Sequence, residues 1–188
     1  MEILEGCKDD DPEYQKGLYD LYYNYAFKIC FRYTRNREDV LEIVNDGYMK
    51  IFNKIKGFAY PLDSGHLDAA FQTWMKKIMV YTAIDYLRRK SNRVFYKTTG
   101  EDIDRIDTGL LYYADNLGYN ELIELVRLLP QSYRWVFNLY VIDGYSHKEI
   151  ADLLKISEST SRSNLVKARE HLRRMLKKTY EETLIKYN

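Results

Sequence analysis

The sequence predicts an all-α protein made of two small domains, on three observations. Apolar residues recur at three- and four-residue steps along most of the chain, the period of helices that each bury one face. Glycine and proline number nine and three among 188 residues, too few for the turns that a many-stranded sheet requires. Over residues 96–118 the period lapses, and it then resumes.

The first helix is expected from Tyr14 to about Arg35, where Leu18, Leu21, Tyr22, Tyr25, Ala26, Ile29, Cys30 and Tyr33 follow the period. Asn36 to Glu38 interrupt it. A second helix runs through Val40, Leu41, Val44, Tyr48, Ile51, Phe52 and Ile55 to end near Gly57, and a loop marked by Gly57, Pro61 and Gly65 follows. A third begins near Phe71, carries Trp74, Met75, Ile78, Met79, Ala83, Ile84 and Leu87, and closes on the basic run RRKSNR. Three such helices can bury a shared core, which makes residues 1–95 the first domain. Residues 96–118 bring Gly100, Gly109, Gly118 and many aspartates, the composition of a linker. The second domain, residues 119–188, opens with ELIELVRLLP, which puts Leu122, Leu125, Val126 and Leu129 on one face before Pro130 stops the helix. QSYRWVFNLYVID supplies the next helix, closed by Gly144, the residue suited to left-handed backbone past a helix end.

A net charge of +1 conceals strong segregation. Residues 1–24 carry seven carboxylates against two lysines, while 71–97 hold seven basic side chains (Lys76, Lys77, Arg88, Arg89, Lys90, Arg93, Lys97) against Asp85 alone. Residues 98–124 turn acidic again, with seven carboxylates and Arg105, and 158–178 gather seven basic residues against Glu158 and Glu170. Two cationic blocks would attract a polyanion at two places, although charge alone fits solvated helix faces equally well. No apolar run approaches the roughly 20 residues that a membrane helix needs. With no secretory leader and no metal-ligand spacing, Cys7 and Cys30 suggest neither disulfides nor zinc. Both are expected reduced in a cytoplasmic protein, with Cys30 packing as a small apolar residue.

The functional motif is YSHKEIADLLKISESTSRSNLVKAREHLRRML. Ser146 is placed to cap a helix with Glu149 completing a capping box, and Ser157 to cap a second helix after a short connection at Lys155 and Ile156. That is the layout of a helix-turn-helix. Small Ala151 allows close approach, Ile156 plugs the corner, and Leu165, Ala168 and Leu172 face inward. Ser159, Arg162, Ser163, Val166, Lys167 and Arg169 then fall largely outward. Hydroxyls and amides at a helix start hold phosphates, and an arginine fork grips guanine, so this face suits a DNA major groove.

The segment LPQSYRWVFNLYVIDGYSHKEIADLLKISESTSRSNLVKAREHL resembles region 4 of the extracytoplasmic-function (ECF) subfamily of the sigma-70 family of bacterial RNA polymerase sigma factors. Independently, EDVLEIVNDGYMKIF resembles region 2.2 of that family, and FQTWMKKIMVYTAIDYLRRK resembles regions 2.3 and 2.4. The resemblances occur in the family's order and cover most of the chain. They imply a helical region 2 bundle over 1–95, a linker over 96–118 and a four-helix region 4 over 119–188. They also imply that Asp39, Glu42, Asn45 and Asp46 dock on a coiled-coil clamp of core RNA polymerase. Lys77, Tyr81, Arg88 and Arg89 would line the path of a melted −10 strand, and Phe58, Tyr60, Asp63, Ser64 and His66 a pocket for a flipped base, with Phe71 and Trp74 in the core. Ser159, Arg162, Ser163 and Lys167 would read the −35 duplex. Tyr81 stands where relatives often carry asparagine, Ser161 where they carry valine and Asn164 where they carry arginine, so promoter preference does not transfer from them.

The expected partners are therefore core RNA polymerase, promoter DNA (duplex at −35, melted at −10) and an anti-sigma factor, with no membrane insertion, no metal and no cofactor. His66, His147 and His171 are isolated, and no glycine-rich turn precedes a lysine-serine pair, so an enzyme is not expected. Two rival classes are a stand-alone dimeric regulator using the same motif and a helical interaction module whose basic helices are incidental.

Overall fold

A computed structural model describes residues 2–59, 66–95 and 117–186, with side chains over 2–59, 66–91 and 118–178. Its elements are α1 (Glu2–Lys8), α2 (Pro12–Phe31), α3 (Arg37–Lys54), a 3-10 turn (Ile55–Gly57), α4 (Leu67–Phe95), α5 (Leu117–Arg127), α6 (Gln131–Phe137), a π-helical turn (Asn138–Ile142), α7 (His147–Leu154) and α8 (Glu158–Lys186). The fold is all-α, as the apolar period predicts. Two compact units divide it, one holding α1 to α4 and the other α5 to α8.

In the first unit, local chemistry sets the helix starts. Asp11 accepts from the Glu13 amide at 2.8 Å with Pro12 in the first turn of α2, and Asn36 Oδ1 accepts from the Glu38 and Asp39 amides at 2.7 and 3.3 Å to start α3. Helices α2, α3 and α4 pack on one another around Leu18, Ala26, Ile29 and Cys30, then Val40, Ile43, Val44 and Ile51, then Phe71, Met75, Met79, Ala83 and Ile84. Gly47 lets α3 approach α4, because a β-carbon there would overlap the Met79 sulphur. The thiol of Cys30 is pushed up to about 12 by burial, and that of Cys7 to about 11 by burial and then by Asp11. Both therefore pack as neutral thiols.

Three expectations need correction here. Helix α1 lies where no helix was expected: it folds onto α2, burying Leu4 and Cys7, and Gly6 leaves the space that the Tyr14 ring occupies. Helix α4 starts at Leu67, a turn before Phe71. Leu21 is 63% exposed instead of inward, since α2 turns Leu18, Ala26 and Ile29 to the core.

In the second unit, α6 and α7 both pack on α8 around Val136, Leu139, Ile150, Leu165, Ala168 and Leu172. The inward face of α5 is Ile123 and Val126, continued past the helix end by Leu129, whereas Leu122, expected inside, is exposed. Two buried guanidiniums stand at this corner, and that of Arg134 joins α6 to α5. Arg127 donates to both Glu124 oxygens at 3.0 Å, and Arg134 donates to the Arg127 carbonyl at 2.7 Å, satisfying a backbone acceptor at the end of α5. Helix α6 widens into the π turn, where the Asp143 amide reaches the Asn138 carbonyl at 2.9 Å, and Gly144 follows at φ +78°. Among the described residues no helix is long and apolar enough to cross a membrane.

Gly47→Val forces two branched methyls against the buried Met79 and is expected to cost about 1–3 kcal/mol, read as a lower denaturation midpoint with an unchanged slope.

Candidate nucleic-acid interface

The helix-turn-helix is built from capped ends and one left-handed residue. Ser146 Oγ accepts from the Glu149 amide at 3.3 Å, and Glu149 Oε2 accepts from the Ser146 amide at 2.8 Å, which closes the capping box of α7. Lys155 then adopts φ +58°, and the Ile156 amide reaches back to the Ala151 carbonyl at 3.1 Å, turning the chain sharply into α8. Ser157 Oγ accepts from the Thr160 amide at 3.0 Å to start that helix.

Along α8, Ser161, Leu165, Ala168 and Leu172 are buried, so Ser159, Arg162, Ser163, Val166, Lys167 and Arg169 are exposed. The four side chains assigned to duplex reading thus share one open surface. Arg162 pairs with Glu158 at 2.7 Å on the helix exterior, Ser163 Oγ donates to the Thr160 carbonyl at 3.0 Å, and Lys167 Nζ lies 6.0 Å from the Tyr133 ring centre. An exposed pair of that kind contributes only about 0.2–1 kcal/mol, so the guanidinium can exchange Glu158 for a base or a phosphate at little cost. Asn164 is turned differently. It lines a groove of about 350 Å³ with Gln131, Ser132, Trp135, Leu154 and Ile156.

His147, at the start of α7, joins this surface to the interior. Its Nδ1 lies 2.9 Å from Ser161 Oγ, and its ring stacks on Tyr140 at 4.4 Å. Burial, and then the Arg162 charge, hold the imidazole below its ordinary value.

In the first unit, Asp39, Glu42 and Asp46 of α3 face Lys90, Tyr86 and Arg89 of α4 along the seam between the two helices, while Asn45 accepts from the Tyr19 hydroxyl of α2. Lys90 Nζ donates to both Asp39 oxygens at 2.9 and 2.8 Å, Tyr86 OH lies 3.0 Å from Asp39 and 2.7 Å from Glu42, and Thr34 Oγ1 donates to Asp39 at 3.3 Å. Burial first, and then hydrogen bonds to Glu42 and Asp39, push the Tyr86 hydroxyl up, so it stays a donor. Asp46 stands 3.9 Å from Arg89 and Asp85 3.9 Å from Arg88. Between the helices lies a groove of about 520 Å³ lined by Asp46, Met49, Lys50, Asn53, Asp85, Arg88 and Arg89. Lys77 and Tyr81 are exposed one turn apart on α4.

Several assignments change. Asp39 is only 6% exposed and belongs to this internal network, which removes it from the docking face. Glu42 and Asn45 remain exposed and Asp46 half-buried, with exposed Leu41 and Met49 beside them. Phe58 is buried, its ring 5.5 Å from Phe71 and 5.0 Å from Trp74, so it is part of the core and no wall of a base pocket. His66 is exposed, and Tyr60, Asp63 and Ser64 lie outside the described residues. Reading from sequence missed the part that Tyr86 and Lys90 play, and the partner that Ser161 finds in His147. Tyr86 and Lys90 sit one turn apart on the basic end of α4, a spacing that presents one face to α3.

Comparison with known proteins agrees with this geometry. Residues 18–93 match the family model for sigma-70 region 2, and residues 119–172 match that for sigma-70 region 4. The chain is 26% identical over 178 residues to the ECF RNA polymerase sigma-E factor of Haemophilus influenzae, covering 89% of this chain and 90% of that one. To the ECF RNA polymerase sigma-E factor of Escherichia coli it is 28% identical over 172 residues, 83% and 84% of the two chains. Among solved structures it is similar in fold to the sigma factor RpoE of Bartonella quintana, crystallised with the anti-sigma factor NepR, at a TM-score of 0.56 and 18% identity over 86% of this chain and 96% of that one. The chain belongs to the sigma-70 family, and within it to the ECF subfamily.

Two outcomes check the geometry. Asp39→Ala leaves Lys90 and Tyr86 without their shared acceptor and is expected to cost about 1–3 kcal/mol of unfolding free energy, whereas exposed Asn45→Ala should stay within about 0.5 kcal/mol. For His147, the folded value lies below the unfolded one, so the folded state binds fewer protons. Its stabilising contribution is complete above pH 6.5 and is lost as the pH falls through 6.5 towards the folded value. Melting temperatures measured across that range should fall less steeply for His147→Phe than for the unaltered chain.

Proposed function

We propose that this chain directs core RNA polymerase to specific promoters and assists DNA melting, with the labour divided between its two units. The second unit, residues 119–188, positions the complex on the −35 duplex through Ser159, Arg162, Ser163 and Lys167. The first, residues 1–95, docks on core polymerase through Glu42, Asn45 and Asp46, and holds the melted −10 strand along Lys77, Tyr81, Arg88 and Arg89. Residues 96–118 tether the two. Polymerase performs the chemistry, so the chain is no enzyme, and its place of work is the cytoplasm. An anti-sigma factor is a fitting further partner, as in the Bartonella quintana complex.

The observation that carries this reading is the capped helix-turn-helix whose second helix turns Arg162, Ser163 and Lys167 outward over an apolar inner face. On the α3 face, carboxylates and an amide beside Leu41 and Met49 suit a basic, partly apolar coiled coil, where charge orients the encounter more than it adds affinity.

The experiment adds the purified chain to sigma-free core polymerase and maps transcript starts on genomic DNA. New starts are expected, and Arg162→Ala should lower their output about five- to hundredfold, the range for one lost bidentate base contact. Failure to bind core, with tight binding to a symmetric site, would establish a stand-alone regulator instead. Starts unaffected by Arg162→Ala together with Lys167→Ala would remove α8 from promoter reading.

A further inference from the structure

Ser161 is the first buried residue of α8 and the one hydroxyl among its buried side chains over the described residues, since Leu165, Ala168 and Leu172 are apolar. A hydroxyl taken wholly out of water costs free energy unless it is hydrogen-bonded. Here Ser161 Oγ meets His147 Nδ1 at 2.9 Å. His147 is held from its other side by the Tyr140 ring, at 4.4 Å and 21° between planes. One chain of contacts thus links the π turn, the start of α7 and the first turns of α8.

We propose that Ser161 and His147 form a positioning pair for reading the −35 duplex: their hydrogen bond fixes the rotation of α8 about its own axis and so decides which base edges Arg162 and Ser163 meet. The inference rests on the function proposed above. The apolar contacts of α8 are non-directional and tolerate small rotations, whereas a hydrogen bond is confined in both distance and angle. A rotation of about 10° moves a group about 6 Å from a helix axis by about 1 Å. Hydrogen-bonding distances span only about 0.5 Å, so such a shift is enough to lose a base contact. Arg162 and Ser163 directly follow Ser161 and cannot keep their aim if it turns. A neutral His147, favoured by its burial and by the facing charges of Arg162 and Arg169 over that of Glu158, pairs with the Ser161 hydroxyl in either tautomer, Nδ1 accepting its proton or Nδ1–H donating to Oγ.

The test uses holoenzyme reconstituted from full-length variants and core polymerase on a promoter randomised at each −35 base pair, with transcripts sequenced and the melting temperature of each free chain measured alongside. Ser161→Ala, Ser161→Val and His147→Phe should each flatten the −35 base preference roughly three- to tenfold, the range of one net hydrogen bond, while initiation itself persists. The melting temperatures separate aim from folding: Ser161→Ala, Ser161→Val and His147→Phe should flatten the preference alike whatever their separate effects on stability, so the loss of preference does not come from unfolding. His147→Phe keeps a ring to stack on Tyr140, and His147→Asn, with an amide oxygen near the place of Nδ1, should restore the preference. The Ser161→Ala, His147→Phe double variant should be no flatter than either single change. Unchanged preference in Ser161→Val and His147→Phe, losses that add in the double variant, or losses that track melting temperature would each overturn the pair. Absence of any start with the unaltered chain would overturn it together with the function on which it rests.

Discussion

Each side chain proposed for docking, strand holding or duplex reading shares a helix with residues committed to a core, and the helical period leaves no freedom between the two. On α8, burying Ser161, Leu165, Ala168 and Leu172 forces Arg162, Ser163 and Lys167 into the open. On α3, burying Val40, Ile43, Val44 and Ile51 leaves Glu42 and Asn45 exposed, with Leu41 and Met49 beside them. The left-handed Lys155 and the two serine caps matter for the same reason: they fix where α7 ends and α8 begins, and hence the phase of everything downstream. A protein that reads another polymer with rigid helices turns core packing into aim.

The charges divide by burial into anchors and exchangeable contacts. Asp39 lies inside a set of four hydrogen bonds from Lys90, Tyr86 and Thr34, and removing it leaves the buried Thr34 hydroxyl and the half-buried Lys90 and Tyr86 without their shared acceptor. By contrast, the Asp46–Arg89 and Asp85–Arg88 pairs stand at 3.9 Å on partly exposed groups, where screening leaves little net energy. The second unit repeats the pattern, with Arg127 and Arg134 buried as internal struts and Arg162 in a surface pair. Arg89 and Arg162, in exposed surface pairs, can exchange those partners for phosphate or carboxylate ones at little cost. The basic end of α4 is also partly neutralised by the acidic face of α3, so the two cationic blocks of the sequence differ in how bare they are.

Much of this was legible from sequence because it is local. The caps at Ser146 and Ser157, the stop at Gly144 and the inward phase of α8 each depend on residues within one or two turns, and the structure has them all. What escaped depends on distant partners. Asp39 turns inward because Lys90, 51 residues away, and Tyr86, 47 away, meet it from α4. Leu21 and Leu122 each have apolar chain neighbours that fit the period as well, and only the packed partner decides which of them goes inside. A seven-residue helix such as α1 has no stability of its own and exists because Leu4 and Cys7 find α2, so periodicity gives it no signal. Phe58 looks like a loop aromatic until Phe71 and Trp74 are placed beside it.

The division into two units, each with its own core and its own cationic surface, bears on how a chain of net charge +1 engages a polyanion. Neither surface is large. Each offers a few basic side chains, some already paired at modest cost, so each alone gives weak, salt-sensitive binding. Because both units belong to one chain, the second engagement is intramolecular, at a local concentration set by whatever fixes the span between them. Affinity then depends on the spacing between the two DNA elements as well as on their sequences. A third body that holds both units at the right separation raises it most, and that is the role in which core polymerase fits the proposed function.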